Sequence, residues 1–578
     1  MNICSRQKLA GFFMSIFSST PLYYLYLKWR INFERNDFMT KIEQFLSDKG
    51  FDLSQLKKDT NQYSVTNLAQ AASMIKNAID NQKHIHVVAD YDADGIMSGS
   101  ILYLVLTELG ADFTLRFPGR MSDGYGINQR MVDEAPANSM ILTVDNGIAA
   151  IEAIDYAKSL GMEVVVLDHH QQRGDGLLPN ADCIVDPHIF KEEDEFEDYC
   201  GAGLSYMLAK ELGLPTEILT KANALAAIAT IQDVVSLTGN NRNIVKYGLA
   251  IINKRLADLP GLYSLCAALK LVPTTDKYAA ICEEDIAFQI GPCVNAMGRM
   301  LDDGAKKAFE YLMHYDIHGE DGIRAILDCN TTRKEETTRQ QNILEIEAER
   351  IKTPKMTCMV LYAPALHEGL IGINAARVVE KYNMPAVVLT DAENGLLKGS
   401  ARSLEGIDIK DCLDQVAEFI YQYGGHAGAA GLSVEKDKLD DFIKAINKVT
   451  PKAAVNANTW QYDIEVEEDE IPQILEDIKT YAPFGEGFPA PVIKVNGYNL
   501  AKNYGKYYRY IGDNGVSMNG NNSEAISFSL KEKYQTYGTP LNLNIIGTVG
   551  YSRFSKRPQI MIVDFRPMIA KQEAGFLL

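Results

Sequence analysis

Carboxylate and imidazole side chains follow apolar segments in the first half of the chain. The candidates are Asp90, Asp92, Asp94, Asp145, His169, His170 and Asp233. So many like charges in one pocket would raise each other's pKa and loosen the fold unless cations neutralised them. Two divalent ions about 3.5–4 Å apart would do so, and such a pair activates water for hydrolysis at phosphorus. The set has no thiolate, which favours Mn²⁺ or Mg²⁺, and the imidazoles favour Mn²⁺. These residues therefore predict a two-metal hydrolytic site.

Three short strands are expected to position these side chains. They are His84–Ala89, Met140–Val144 and Met162–Leu167. Helix-like segments lie between them, and the strands are almost continuously apolar, which predicts an α/β fold with a doubly wound parallel sheet. In open sheets of this class, ligands bind at the carboxyl ends of the strands. All three predicted strands end at an acidic or imidazole side chain.

Two local expectations concern individual carboxylates. Asp92 and Asp94 are two residues apart, so in a strand-like segment they would point the same way. Asp233 lies in the apolar segment Leu225–Val235. Burial of that carboxylate without a partner would be costly, so we expect it to meet a cation.

The remainder of the chain divides into three further parts. Residues 322–352 are charged and contain no Pro or Gly after Gly322, which predicts a long connecting helix. Residues 356–449 read as a second, smaller α/β unit with a Gly-rich loop at Tyr423–Gly431. From Asn458 onward, short β-like runs separated by turn residues predict a small all-β domain of barrel type.

Composition excludes several classes of protein. Hydrophobic residues make up 46% and charged residues 23% of the chain, which is typical of globular proteins and excludes disordered chains and coiled coils. The mean hydropathy of −0.13 excludes a polytopic membrane protein. The net charge of −19 argues against coating of nucleic acid by the whole surface, but it permits a local basic groove. Nine cysteines without a CxxC pair predict reduced thiols in a cytoplasmic enzyme.

The first residues resemble a membrane segment only in part. Leu9–Leu27 carries no charge, but Pro21 interrupts it, and a polar helix-like segment begins at Met39. We expect residues 1–38 to be a non-native leader or a disordered extension.

Four motifs together resemble a known superfamily. They are Asp90–Gly95, Val144–Gly147, Asp168–His170 and Ile231–Asp233, and they look like the motifs of the DHH phosphoesterases. Gly424–Gly431 resembles the GGHxxAAG loop of the associated DHHA1 domain. Phe288–Met300, Gly399–Gly406 and Pro483–Pro491 are similar to stretches of the RecJ family, and the resemblance covers about residues 60 to 570 in the same order.

The resemblance to the RecJ family implies a hydrolase acting on single-stranded DNA. It implies 5′→3′ exonuclease activity that releases 5′-mononucleotides, in DNA repair and recombination, with two Mn²⁺ or Mg²⁺ ions as cofactors. We expect a cytoplasmic monomer without membrane attachment, with a single-strand-binding protein and a helicase as candidate protein partners. The implied domains are a DHH catalytic domain at 39–320, a connecting helix at 321–355, a DHHA1 domain at 356–452 and an oligonucleotide/oligosaccharide-binding (OB) domain at 458–572.

The resemblance also assigns roles to residues. The implied metal ligands are Asp90, Asp92, Asp94, Asp145, His169, His170 and Asp233, and Asp168 would orient the histidines. The implied catalytic residues are Asp145, His169, His170 and His426. The implied substrate-binding residues are Arg120, Asn295, Arg299, Ser400, Arg402, Gly424, Gly425 and His426. Among these, Arg120, Ser400 and Arg402 match positions that bind the terminal 5′-phosphate, which guanidinium groups suit.

Two other functions remain open from the sequence. One is a DHH-type phosphodiesterase that cleaves short oligonucleotides or cyclic dinucleotides. The other is an inactive scaffold in a replication complex, against which the full set of candidate ligands argues. The predicted third domain, with Tyr504, Tyr507, Tyr508, Tyr510 and Phe554 among Lys and Arg, favours a long single strand over a short substrate.

Overall fold

The computed structural model describes residues 39–56, 64–174, 176–392, 395–453 and 459–568. The expectation for residues 1–38 lies outside the described residues. The described chain forms two compact units. The catalytic unit holds the described residues from 64 to 459 together with 483–488, and the C-terminal unit holds residues 39–56, 460–482 and 489–568.

The catalytic unit begins with an α/β layer structure. Its strands are β1 (Ile85–Val88), β2 (Phe113–Arg116), β3 (Met140–Val144), β4 (Glu163–Leu167) and β5 (Cys183–Val185). All neighbouring strands are parallel, in the order β2-β1-β3-β4-β5. The strand order reverses between β1 and β3, and in doubly wound sheets this switch point is where ligands bind. The predicted parallel sheet is therefore present, and its carboxyl edge carries the candidate residues.

The first two helices, α1 (Lys41–Asp48) and α2 (Leu53–Leu56), belong to the C-terminal unit. In the catalytic unit, helices cover the parallel sheet and extend beyond it. In chain order they are α3 (Leu68–Asp80), α4 (Ala93–Glu108), α5 (Gln129–Glu134), α6 (Ile151–Ser159), α7 (Gly201–Glu211), α8 (Thr216–Gln232), α9 (Gly239–Arg255) and α10 (Pro260–Ala268). The four residues of β1 and the five of β3 are buried, as their continuous apolar sequences predict. Helix α4 is buried along most of its length, so it lies in the centre of the unit.

A helical segment follows. It contains α11 (Glu283–Asp285), a π-helical turn at Ile286–Ile290, α12 (Gly291–Met300), α13 (Gly304–Met313) and α14 (Tyr315–Ile351). The long helix predicted at 322–352 is thus present as α14, which begins earlier and has a break in helical geometry at Gly319. Helix α12 packs against α14, since the amide of Asn330 donates to the Cys293 sulfur at 3.1 Å.

The second α/β part of the catalytic unit has a mixed sheet. It contains β6 (Met359–Tyr362), α15 (Ile371–Tyr382), β7 (Ala386–Asp391), β8 (Leu396–Arg402), α16 (Ile409–Asp414), β9 (Gln422–His426), β10 (Ala429–Glu435) and α17 (Leu439–Val449). The strand order is β6-β7-β8-β10-β9. The segment predicted as a Gly-rich loop at Tyr423–Gly431 is instead a tight hairpin of β9 and β10. Gly425, at φ +147°, allows this pairing because a Cβ there would lie 2.3 Å from the Ala429 carbonyl oxygen.

The C-terminal unit is built on a seven-stranded sheet. Its elements are β11 (Ile464–Glu467), α18 (Ile471–Tyr481), β12 (Ile493–Asn499), β13 (Tyr508–Ile511), β14 (Gly515–Asn519), β15 (Glu524–Ser527), α19 (Lys531–Thr536), β16 (Asn542–Ser552) and β17 (Arg557–Pro567). The strand order is β11-β12-β16-β17-β15-β14-β13. Among the described residues, no helix is long and apolar enough to cross a membrane. The domain limits expected from the sequence stay a prediction.

Candidate metal centre and phosphate-binding groups

Seven candidate side chains meet at the carboxyl edge of the parallel sheet in three overlapping clusters. The clusters are Asp145–His169–His170, Asp94–His169–Asp233 and Asp90–Asp92–Asp145. Within each cluster, one potential ligand atom from every residue lies within 4.8 Å of the others. Asp145 and His169 each belong to two clusters, so the three groups form one continuous site. The sequence placed these residues at one sheet edge, and the structure brings them together there.

His169 occupies the middle of the site. Its Nε2 atom lies 3.0 Å from Asp145 Oδ1, 3.6 Å from Asp94 Oδ2 and 3.7 Å from Asp233 Oδ2. Burial, together with the charge of His170, lowers the pKa of His169 to about 3. The imidazole is therefore neutral at physiological pH, which is the state in which it can act as a metal ligand.

Asp92 and Asp94 do not point the same way, so that expectation is wrong. Asp92 is the N-cap of α4, and its Oδ1 accepts hydrogen bonds from the amides of Asp94 and Gly95 at 2.9 and 3.2 Å. Asp94 is in the first turn and points to the start of α7, where Gly201 and Ala202 donate their amides to it at 2.6 and 2.8 Å. The chain has thus turned from strand to helix before Asp94, which places the two carboxylates in different clusters.

Asp233 lies at the end of a helix. It is the C-cap residue of α8, so the apolar segment around Leu225 is helical. Its carboxylate lies next to His169, with Oδ2 3.7 Å from Nε2. The expectation that this partly buried carboxylate meets a cation stays a proposal, and its position in a carboxylate–imidazole cluster supports it.

Asp145 adopts an unusual backbone conformation. Its φ of +61° lies in the left-handed region, which costs a residue other than Gly roughly 1 kcal/mol or more. Gly201 allows close approach of α7 to this residue, because a Cβ at position 201 would lie 2.6 Å from the Asp145 Cβ. Strained, tightly packed backbone of this kind is typical of functional sites.

Asp168 stands apart from the three clusters. Its Oδ1 accepts hydrogen bonds from His170 Nδ1 and from the His169 amide, both at 2.8 Å, and its Oδ2 accepts from the Ile148 amide at 2.9 Å. Although burial opposes it, His170 lowers the pKa of Asp168 to about 2. In return, and again against burial, Asp168 raises the pKa of His170 to about 10. These bonds suit the orienting role predicted for Asp168.

Several carboxylates of the clusters have raised pKa values, as expected for acidic groups that surround a cation site. Burial and the neighbouring carboxylates raise the pKa of Asp90, Asp145 and Asp233 well above the ordinary value. For Asp94 burial and the charge of Asp92 raise the pKa to about 6. Buried like charges of this density are stable as anions only when cations neutralise them.

The side chains fit divalent metal ions. Oδ1 of Asp90 is buried and has no hydrogen-bond partner among the described residues, so it has an unused lone pair facing the site. The ligand atoms are carboxylate oxygens and imidazole nitrogens, a set that suits Mn²⁺ and Mg²⁺. When bound, such ions would supply the positive charge that lowers the pKa of water and stabilises negative charge on a phosphate.

Three arginines of the predicted substrate site lie near one another. Burial and the charge of Arg120 lower the pKa of Arg299, to about 10, and of Arg402. The Arg120 guanidinium lies 4.6 Å from the ring centroid of Tyr91, the residue between Asp90 and Asp92. Among the described residues, none of the three arginines has a carboxylate within ion-pair distance. Guanidinium groups held together without acidic partners favour binding of a phosphate.

Ser400 and Arg402 border the start of α15. Arg402 Nη1 donates to Ser400 Oγ at 2.9 Å. A Cβ at Gly372, in the first turn of α15, would lie 2.9 Å from Arg402 Nη2 and 3.2 Å from Ser400 Oγ. The first turn of a helix has unpaired amide groups and a partial positive charge, so this corner combines three features that favour an anion.

Asn295 and Arg299 lie on α12 and connect the two parts of the catalytic unit. Asn295 Oδ1 accepts a hydrogen bond from the Ala93 amide at 2.8 Å, which fixes the start of α4 beside the metal clusters. Arg299 Nη1 lies 3.4 Å from the Gly369 carbonyl oxygen, one short turn before α15. Asn295 therefore contacts the backbone that positions Asp92 and Asp94. Arg299 faces the phosphate corner, which consists of Ser400, Arg402 and the first turn of α15.

His426 is separate from the carboxylate clusters. It ends strand β9, is exposed, and accepts a hydrogen bond from the Gly428 amide on Nδ1 at 3.3 Å. Within the described part of the chain, no hydrogen bond or ion pair joins it to a cluster residue. Its neighbour across the hairpin, Ala429, pairs with Arg402 on β8, so His426 lies at the same end of that sheet as the phosphate corner. Gly424 and Gly425 form the strand before it.

Sequence reasoning missed residues that hold the site together. Tyr125 donates its hydroxyl to the Asp145 carbonyl oxygen at 3.0 Å and also contacts the His170 ring. Asn146 donates to the carbonyl oxygens of Val88 and Val144 at 3.1 and 2.8 Å, which ties β1 to β3 at the switch point. The glycines on both sides of Tyr125 were the one signal in the sequence that could have pointed to a specified conformation there.

Comparison with known families divides the chain into three matching regions. Residues 84–231 match the DHH family, N-terminal domain, and residues 355–451 match the DHHA1 domain. Residues 462–564 match the RecJ OB domain. The first two matches lie in the catalytic unit and the third in the C-terminal unit.

Several similar proteins and solved structures are named RecJ. RecJ of Bacillus subtilis, a single-stranded-DNA-specific exonuclease, is 30% identical over 553 residues, which are 90% of this chain and 67% of the relative. RecJ of Salmonella typhimurium is 32% identical over 460 residues, 74% of this chain and 77% of the relative. The crystal structure of RecJ in complex with Mn²⁺ from Thermus thermophilus matches with a TM-score of 0.75 and 25% identity, over 92% of this chain and 76% of that chain.

Proposed function

The chain belongs to the RecJ family of DHH phosphoesterases, and we propose that it is a single-stranded-DNA-specific exonuclease that uses two Mn²⁺ or Mg²⁺ ions. The observation that carries the proposal is the meeting of five carboxylates and two imidazoles in three overlapping clusters at the switch point of the parallel sheet. The proposed reaction is phosphodiester hydrolysis from the 5′ end with release of 5′-mononucleotides, as part of DNA repair and recombination.

The proposed metal ligands are those that form the clusters. Asp145 would take part in holding both ions, because it belongs to two clusters and its carboxylate has two oxygens. His169 would bind one ion through Nε2, which lies between Asp145, Asp94 and Asp233. Asp168 would keep the His170 ring in place by accepting from its Nδ1 atom at 2.8 Å. The amides of Gly201 and Ala202 would hold Asp94 in its ligand position. The protein thus contributes a rigid, largely buried set of anionic and neutral ligands.

The proposed 5′-phosphate site consists of Arg120, Ser400 and Arg402, with Arg299 beside them. The guanidinium groups of Arg120 and Arg402, together with the Ser400 hydroxyl at the first turn of α15, would bind a dianionic terminal phosphate. A binding site for the terminal phosphate of the DNA strand, at a fixed distance from the metal centre, would make cleavage begin at the 5′ end. His426, at the same end of the sheet as Arg402, is proposed to contact the substrate from that side, together with Gly424 and Gly425.

The C-terminal unit has the surface of a single-strand-binding domain. Tyr504 is fully exposed and Phe554 is 84% exposed, so both rings are accessible for stacking on a base. The Arg509 guanidinium lies 5.5 Å from the Phe554 ring centroid, and Lys531 Nζ lies 5.3 Å from that of Tyr510. Exposed rings beside cations suit bases stacked along a single strand.

The second candidate function is hydrolysis of short oligonucleotides or cyclic dinucleotides at the same metal centre. The exposed aromatic and basic side chains of the C-terminal unit favour the long single strand instead. A comparison of rates separates the two. Long single-stranded DNA, the same DNA as a blunt duplex, di- to pentanucleotides and a cyclic dinucleotide are each incubated with the full chain and Mn²⁺. We expect rapid hydrolysis of the long single strand only; hydrolysis confined to the short or cyclic substrates would contradict the proposal.

The cellular context is part of the same proposal. A single-strand-binding protein and a helicase, which expose and present single-stranded DNA, are proposed as partners, and the enzyme is proposed to act as a monomer in the cytoplasm. Co-elution in size-exclusion chromatography tests each of these partners, and light scattering of the protein alone tests the monomer.

A further inference from the structure

The loop between β2 and α5 carries a tyrosine in a closely specified position. Tyr125 is flanked by Gly124 at φ +80° and Gly126 at φ +68°. Both values lie in the left-handed region, which glycine adopts without strain. The two glycines allow the backbone to turn on both sides of Tyr125, and this turn directs the tyrosine towards the metal clusters.

Asn146 anchors this loop to the corner that follows β3. The Ile127 amide donates to Asn146 Oδ1 at 3.1 Å, and a Cβ at Gly126 would lie 3.1 Å from the Asn146 Cβ. Asn146 is fully buried and is itself fixed by the carbonyl oxygens of Val88 and Val144. The position of Tyr125 is therefore coupled to the corner that carries Asp145.

The Tyr125 hydroxyl contacts two candidate ligands at once. It donates to the Asp145 carbonyl oxygen at 3.0 Å, and its oxygen lies 3.0 and 3.1 Å from the two ring nitrogens of His170. Its single proton is donated to the carbonyl, and His170 Nδ1 already donates to Asp168 Oδ1. The tyrosine oxygen therefore packs against the imidazole without occupying the Nε2 lone pair that a metal ion needs. The tyrosine ring meets the imidazole edge-on, with centroids 5.4 Å apart at 69°.

These contacts stabilise two parts of the Asp145–His169–His170 cluster that are otherwise less constrained, the Asp145 backbone and the His170 ring. Asp145 holds a left-handed conformation with φ +61°, and a hydrogen bond to its carbonyl oxygen opposes its relaxation. His170 is the more exposed of the two histidines, and Asp168 holds its ring at only one nitrogen. A second polar contact limits the rotation of that ring.

We propose that Tyr125 is a positioning residue of the metal centre, whose hydroxyl fixes the Asp145 peptide and the His170 imidazole in the geometry that binds a divalent ion. The inference rests on the proposed metal centre and adds to it a residue that neither the motifs nor the clusters include. It predicts that loss of the hydroxyl alone weakens Mn²⁺ binding, because Asp145 belongs to two of the three clusters.

The test uses the full chain with Tyr125→Phe, which removes the hydroxyl and keeps the ring. Tyr156→Phe is the matched control, because the Tyr156 hydroxyl donates to Asp133 Oδ1 at 2.8 Å on the surface of the same unit. Mn²⁺ is titrated by calorimetry into metal-free protein without substrate. We expect Tyr125→Phe to weaken Mn²⁺ binding by about 10- to 100-fold, the usual effect of removing a residue that orients a ligand, and Tyr156→Phe to leave it unchanged.

A second readout separates positioning from a merely structural role. The Mn²⁺ concentration for half-maximal hydrolysis should rise by the same factor in Tyr125→Phe, and saturating Mn²⁺ should restore turnover. Equal Mn²⁺ affinities in wild type and Tyr125→Phe would overturn this inference alone. A wild-type protein that binds no Mn²⁺ would overturn the proposed metal centre and, with it, the role of Tyr125.

Discussion

At the scale of single residues, the site depends on a few side chains that serve more than one cluster. His169 Nε2 is within 3.7 Å of carboxylate oxygens from three different elements, after β3, on α4 and at the end of α8. Asp145 belongs to two clusters and is held by the Tyr125 hydroxyl and by close packing against Gly201. Changes at Asp145 should affect both metal positions, whereas changes at His169, Asp90 or Asp233 should affect one.

Asp145→Asn should lower turnover on single-stranded DNA by at least about 1,000-fold, equivalent to about 4 kcal/mol of the barrier. The amide keeps the shape of the side chain but removes a negative charge that two clusters share. Asn is also the better replacement than Ala, because it tolerates the left-handed backbone of this position. The measurement is the initial rate with Mn²⁺, together with a thermal denaturation curve. Asp133→Asn, a surface change, is the control, and a rate within about tenfold of wild type for Asp145→Asn would contradict the assignment.

Arg402→Gln should lower kcat/KM on 5′-phosphorylated single strands by about 10- to 100-fold, because it removes charged hydrogen bonds to the terminal phosphate. Single strands with a 5′-hydroxyl should be much less affected. Initial rates on the two substrates give the ratio directly. Arg339→Gln, on the exposed face of α14 where the arginine pairs with Glu336, is the matched control. An equal loss on both kinds of end would remove Arg402 from the 5′-phosphate site.

At the scale of elements, continuous apolar runs made the parallel sheet predictable, whereas helix ends were harder to recognise. Strand β3 has the predicted limits, and β4 begins one residue later than expected. Asp92 was interpreted as part of a strand because its spacing to Asp94 fits period two, although an Asp before a helical run is also an N-cap signal. The segment around Leu225 is a short apolar run, in which periodicity alone does not separate a strand from a buried helix.

Contacts between distant residues could not be read from the sequence at all. Tyr125 reaches Asp145 across 20 residues, and the first turn of α15 meets Ser400 and Arg402 from a different element. Such pairs depend on the order of strands in the sheet and on the path of connecting helices, which local patterns do not encode. The hairpin that carries His426 was also missed, since its glycines suggested a loop.

Gly95→Ala tests how tightly the start of α4 is packed. A Cβ at this position would lie 2.4 Å from the Asp90 carbonyl oxygen, so the turn that carries Asp90, Asp92 and Asp94 would have to shift. We expect the free energy of unfolding to fall by about 1–3 kcal/mol, with weaker Mn²⁺ binding. Gly174→Ala is the control, since a Cβ there meets no atom within 4 Å. Denaturant unfolding and Mn²⁺ titration of both variants give the comparison, and wild-type values for Gly95→Ala would contradict the described packing.

At the scale of the whole molecule, positive and negative side chains with different proposed roles are grouped separately in an acidic protein. The net charge is −19, yet Arg120, Arg299 and Arg402 lie together beside a pocket of carboxylates. Without metal ions, the folded state must bury these carboxylates next to one another. Metal binding should therefore contribute to stability as well as to catalysis, because ions that bind only the folded state shift the unfolding equilibrium.

Because these carboxylates are buried next to one another, the free energy of unfolding should depend on pH. His170 has a pKa raised to about 10, so its stabilising contribution is complete below pH 6.5 and is lost as the pH rises towards 10. Asp90, Asp145 and Asp233, whose pKa values are raised, hold protons that the unfolded chain has already released, so rising pH also favours unfolding. His169, with its pKa lowered to about 3, affects stability only below pH 6.5.

Between about pH 7 and about pH 9, the melting temperature of the EDTA-treated protein should therefore fall, and Mn²⁺ should raise it most at the higher pH. Thermal denaturation with and without Mn²⁺ across this range measures the effect. Asp145→Asn, which lacks one of the buried carboxylates, should show a weaker fall. A metal-free melting temperature that rises with pH in this window would contradict the electrostatic account of the site.

The metal centre is proposed to hydrolyse single-stranded DNA from its 5′ end. This is tested with one long single strand, labelled at either the 5′ or the 3′ end, together with the full chain and Mn²⁺. We expect labelled mononucleotide from the 5′ label at the earliest times and gradual shortening of the 3′-labelled strand. No release is expected in EDTA or with Asp145→Asn. Early mononucleotide from the 3′ label, or release that persists in EDTA, would contradict the proposal.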